Sequence, residues 1–112
     1  MPQKSAMRGV PVNLQTAAAS GNGTVLAIPD SFRNHKVIIK WGAGTNAGAI
    51  QIESADDPTY TGTWGQVGGG PIAWSAASLE NQIEIVGLFR FIRARISTNV
   101  TGGTVDVIYV GS

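Results

Sequence analysis

With 112 residues, a formal charge of +1 and no cysteine, the chain suits one compact domain burying about two-thirds of the surface its unfolded form exposes. Packing, and not disulfides or thiolate-bound metal, has to stabilise it. Isolated basic residues give little of the electrostatic footprint that nucleic acid requires, no apolar run approaches the roughly 20 residues of a membrane-spanning helix, and "MPQKSAMRGVPV" lacks the apolar middle of a secretory signal.

Charged residues are 13% of the chain, against about 25% in ordinary globular domains. A surface so sparsely charged is weakly protected against association. Residues 1–11 hold Lys4, Arg8 and two prolines without apolar periodicity, which predicts an extended N-terminal arm, frayed or pinned by a partner. Residues 12–112 then form a single domain. Strand patterns recur in "VNLQTAA" from Val12, "GTVLAI" from Gly23, "HKVIIKW" from His35 and "GAIQIES" from Gly48, separated by turn residues in "SGNG" and "WGAGTNAG".

The second half continues with "TWGQV" (63–67), "PIAW" (71–74), "NQIEIVG" from Asn81, "FRFIRARIS" (89–97) and "GTVDVIYV" from Gly103. Only "AWSAASLE" has any helical character, and it is too short to stand alone. About eight short strands with Gly-rich links and no amphipathic helices predict an all-β antiparallel sandwich, jelly-roll-like in architecture.

The last two strands carry an internal conflict. In "FRFIRARIS", Phe89 and Phe91 share one face while Ile92, Ala94 and Ile96 share the other. The Gly-containing link "TNVTGG" makes a hairpin with "GTVDVIYV" the expected pairing. A register with Ser97 opposite Thr104 matches Ile96 with Val105, Ala94 with Val107 and Ile92 with Tyr109, and sets Arg95 against Asp106 as a cross-strand charge pair. Phe91, Ile108 and Val110 then form an apolar patch on the outer face, covered either by the chain itself or by a neighbouring subunit.

Candidate chemistry is sparse. His35 is the single histidine and has no local companion to make it a base, so it reads as an ordinary strand-end or surface residue. Glu53, Asp56 and Asp57 supply carboxylates without the spacing of a calcium loop, and a polar turn accounts for them. The glycines of "GQVGGGP" lack a P-loop ending. No catalytic residue, cofactor site or metal site is expected. Tyr60, Trp64 and Trp74 are the aromatics available for core packing, for anchoring an interface or for stacking on a glycan.

Taken in order, "GNGTVLAIPDSFRNHKVIIKW", "GAIQIESADDPTYTGTW" and "FRFIRARISTNVTGGTVDVIYVGS" resemble the small β-sandwich structural proteins of tailed-bacteriophage virions. The matching positions are Ile50, Ile52, Glu53, Ser54, Asp56 and Trp64, followed by Phe89 to Arg95. The turn "SADDPTYTGTW" is longer than the compact form of that motif. The resemblance implies a capsid decoration or cement protein on the outer surface of the shell, binding the major capsid protein and often a homotrimer. Lys4, Arg8, Phe91, Ile108 and Val110 are the expected contact residues. The alternative is a carbohydrate-binding sandwich on a virion tail or fibre, using Tyr60, Trp64 or Trp74 to stack on the sugar.

Overall fold

The computed structural model describes residues 4–112, and no helix occurs among them. Nine strands form: β1 (Lys4–Ser5), β2 (Val12–Ala18), β3 (Leu26–Ala27), β4 (Asn34–Trp41), β5 (Ala47–Ala55), β6 (Gly65–Ala73), β7 (Glu80–Val86), β8 (Phe91–Thr101) and β9 (Val105–Gly111). They build two sheets, ordered β1-β3-β8-β5-β6 and β2-β9-β4-β7. From β2 onward every link except β5 to β6 carries the chain to the other sheet. This is the interleaving of a jelly roll, with β1 added in parallel to the edge strand β3.

Period-two patterning drives the strands into this arrangement. In β9, Val105, Val107 and Tyr109 are buried while Asp106, Ile108 and Val110 are half-exposed, and β4 alternates likewise around Val37 and Ile39. From the opposite sheet Leu26, Ile50, Ile52, Ile92 and Ala94 meet them in one core cluster, none of these being more than 1% exposed. Burial of each such Val, Leu or Ile side chain stabilises the fold by about 1.5–3 kcal/mol.

The expected hairpin between the last two strands does not form. β8 pairs with β3 and β5, whereas β9 pairs with β2 and β4. Ile92, Ala94 and Ile96 do face the core, but in a different sheet from Val105, Val107 and Tyr109. Residues 102–104 bridge the two sheets. The β4–β5 link braces this corner, with the Asn46 amide donating to the Thr101 carbonyl at 3.0 Å and the Gly42 amide to the Thr104 carbonyl at 2.7 Å. Arg95 consequently lies opposite Gln51, and Asp106 opposite Lys40.

Two further local differences have clear causes. "TWGQV" and "PIAW" are parts of the single strand β6, bent where Gly68, Gly69 and Gly70 take φ values of +80°, +87° and +122°, a region that glycine alone occupies without strain. "AWSAASLE" forms turns around a bridge between Ser75 and Ser78. In β2 the register shifts twice, and Gln15 turns inward, 6% exposed, to donate to the Ala94 carbonyl of the facing sheet at 2.7 Å. That bond satisfies a buried amide and ties the two sheets together.

Candidate functional site

One end of the sandwich gathers most of the large apolar side chains left in solvent. Met7, Val10, Val86 and Leu88 are 65%, 43%, 79% and 59% exposed. They sit on segments that meet there: the Gly9 amide donates to the Gly111 carbonyl, the Arg33 amide to the Ser112 carbonyl and the Ile28 amide to the Arg90 carbonyl. A cleft of about 400 Å³ between Gly9, Lys36, Val86 and Val110 opens at this end, beside another of about 300 Å³ lined by Asp30, Asp56, Leu88 and Phe89. Exposed apolar side chains concentrated this way mark an interaction surface.

The outward placement of Val86 and Leu88 follows from what holds Gly87 between them. The Gly87 amide donates to the Arg33 carbonyl at 2.9 Å, and the Gly87 carbonyl lies 2.9 Å from His35 Nε2. A carbonyl only accepts, so Nε2 carries the proton and Nδ1 accepts from the Tyr109 hydroxyl at 2.5 Å. Phe89 closes edge-on against the imidazole, 5.1 Å between centroids. With Gly87 and Phe89 drawn inward, their neighbours point out. His35, expected to be an ordinary strand-end or surface residue, is 3% exposed and fixes the β7–β8 link. Burial pushes the Tyr109 hydroxyl up to about 12.

The outer face of the five-stranded sheet holds a second organised group. Cross-strand register sets Gln51 opposite Arg95 and Glu53 opposite Arg93. Glu53, 1% exposed, accepts from Arg93 Nε and Arg95 Nε at 2.9 Å each and from Gln51 Nε2 at 2.6 Å. Arg93 lies over the Trp64 ring, 4.2 Å from its centroid, and Trp64 Nε1 donates to the Tyr60 carbonyl at 2.9 Å. Residues 56–64 are thereby pinned against the sheet. Thr59 donates backbone and side-chain hydrogen bonds to Asp57, which hold its carboxyl below the usual carboxylate range.

The residues singled out in the sequence are dispersed by this fold. Phe91 is half-buried on the outer face of one sheet, while Ile108 and Val110 are half-buried on that of the other, so the three make no common patch. Lys4 lies in β1, and Arg8, exposed, extends over Phe32 at 5.8 Å. Trp64 is 2% exposed and Trp74 half-buried against the core; Tyr60 alone of the three aromatics, 49% exposed, has a free face. Of the uses open to these aromatics, Trp64 takes core packing, and a glycan-stacking role on its buried ring is closed. Glu53 has both oxygens engaged by arginines and is not held in common with Asp56 and Asp57.

Sequence reasoning missed Met7, Val10, Val86 and Leu88. For Val86 and Leu88 the signal was present in "EIVGLF", where apolar residues occupy both alternation phases around a glycine. A half-buried strand leaves one phase polar, so the second phase was the clue.

The architecture defines a jelly-roll sandwich with a solvent-exposed apolar end. Among solved structures it is similar to the SPBc2 prophage-derived protein YomS, with a TM-score of 0.63 over 92% of this chain and 92% of that chain at 17% sequence identity. At that identity the likeness is one of fold. No family model and no curated protein matches the chain.

Proposed function

We propose that this chain is a non-enzymatic structural protein of a bacteriophage virion, and within that class a capsid decoration or cement protein. It binds the outer surface of the assembled shell, with the major capsid protein as partner, and associates with itself, as a trimer in the fullest form of this reading. The observation that carries the proposal is the concentration of Met7, Val10, Val86 and Leu88 at one end of the jelly roll. Its fold likeness to a prophage-derived protein and its weakly charged surface agree with it. The fold by itself does not decide between functions.

The mechanism is adhesive. A ligand that binds only the assembled state stabilises that state by mass action, without any reacting group. Apolar side chains already held outward by the His35–Gly87 and Gly87–Arg33 bonds have little further ordering to undergo on docking. Purified chain is expected to co-sediment with matching assembled shells and to raise their disruption temperature. Val86→Ser with Leu88→Ser should weaken that binding about tenfold or more while preserving the fold, since both side chains are mostly in solvent. A wild-type chain that stays monomeric by mass and ignores shells would refute the proposal.

A further inference from the structure

The outer face of the five-stranded sheet carries more positive charge than its buried carboxylate needs. One guanidinium neutralises Glu53, yet both Arg93 and Arg95 bind it at 2.9 Å, so this trio keeps one positive charge beyond what its own carboxylate offsets. Each arginine reaches Glu53 through Nε. Their Nη nitrogens have no hydrogen-bond partner among the described residues and are absent from the buried unpaired atoms, so they face solvent.

Two constraints make these donors unlike ordinary surface arginines. Arg93 is sandwiched between Glu53 and the Trp64 ring, its side chain 13% exposed, while Arg95 is 36% exposed and is the more accessible. Rotamer freedom that a free arginine loses on binding has here been lost on folding. The guanidinium fork suits carboxylates geometrically as well as electrostatically. Neither arginine lines the clefts at the apolar end. Donors that lie outside these clefts suit a macromolecular surface better than a small enclosed ligand.

We infer that this sheet face, led by Arg95 with Arg93 behind it, docks an acidic protein surface through Asp or Glu carboxylates. The inference rests on the virion reading only in making the assembled shell the bearer of those carboxylates. It separates the chain's contacts into an apolar end and a charged face lying on different parts of the sandwich.

Two measurements test it. Hexaglutamate titrated into the isotopically labelled chain is expected to shift the Arg95 Nε–Hε resonance, with an effect that fades as salt rises. Arg95→Ala should weaken shell binding about tenfold, and Arg95→Lys should restore only part of it, because lysine keeps the charge without the fork. Silence of Arg95 toward hexaglutamate overturns the inference, as does a response confined to oligogalacturonate, which would assign the face to a sugar acid. Equal shell binding by wild type and Arg95→Ala overturns it while leaving the virion reading intact. An Arg95 response to hexaglutamate in a chain that ignores shells does the reverse. If Arg95→Ala fails to fold, the titration of the unaltered chain and the Arg95→Lys comparison decide the matter.

Discussion

The outer faces of the two sheets carry similar residue types and use them in opposite ways. On the five-stranded face Glu53 is sealed beneath Arg93, Arg95 and Gln51, with Trp64 stacked above. On the four-stranded face register places Lys36 opposite Glu84 and Lys40 opposite both Glu80 and Asp106, yet none of these pairs closes to an ion pair among the described residues. Opposite charges in register are thus insufficient. What differs is water: Glu53 is buried beneath its partners and Arg93 beneath Trp64, whereas the second group stays solvated and gains little from closing.

Glu53→Gln should give the largest effect, because it leaves two arginines without their buried counter-charge. Denaturant unfolding is expected to show a loss of about 3 kcal/mol or more. A loss below about 1 kcal/mol would mean that water reaches the Glu53 site as freely as it reaches Lys36.

Tyr109 supplies an intermediate case, a polar group wholly inside the sandwich. Its hydroxyl, pushed by burial from 10.0 up to about 12, is favoured in the protonated form by folding. That contribution is intact below pH 10 and is lost as pH rises through 12, roughly 2–3 kcal/mol in all. Denaturation of wild type and Tyr109→Phe at pH 9 and near pH 12 should show the extra alkaline loss in wild type only. At neutral pH Tyr109→Phe should cost about 1 kcal/mol for the bond to His35.

Arg93→Lys sharpens the contrast further, since lysine keeps the charge but loses the planar stack on Trp64. A loss of about 1 kcal/mol in thermal or denaturant unfolding is expected, together with a change in Trp64 fluorescence. Smallest of all should be the double substitution Lys36→Ala with Glu84→Ala. A double-mutant cycle there is expected to return a coupling below about 0.5 kcal/mol. A larger coupling would show that the four-stranded face is organised after all.

Much of the architecture was legible in the sequence because period-two alternation is a local signal. "VNLQTAA" coincides with β2, "HKVIIKW" fills all but the first residue of β4, and the inward faces of β8 and β9 were assigned correctly. Partner choice is not local. A glycine-bearing link between two strands reads as a hairpin, and Arg95 with Asp106 gave that hairpin a plausible charge pair. In a jelly roll the final link crosses between sheets, so Arg95 instead meets Glu53 from β5, 42 residues away in sequence. The expectation of a jelly roll and the expectation of a closing hairpin were in conflict, and topology resolves it.

The candidate surface was harder to read for a related reason. Phe91, Ile108 and Val110 were grouped by an assumed pairing and separated once that pairing changed. Val86 and Leu88 depend on Gly87 being held by His35 and Arg33, contacts that alternation alone does not encode. Of Glu53 only the residue type was visible; its role as a hub required the register of β5 against β8.

The position of β9 between β2 and β4 also dictates an order of events during synthesis. β2 and β4 leave the ribosome early, but the strand that joins them is the last of the nine to be made. Until it emerges, the hydrogen-bonding edges of β2 and β4 that will receive it have no partner from this sheet. The five-stranded sheet has all its strands once β8 is made, one strand sooner than the other. Slow translation near residue 104 would prolong the interval in which those waiting edges are open to another chain.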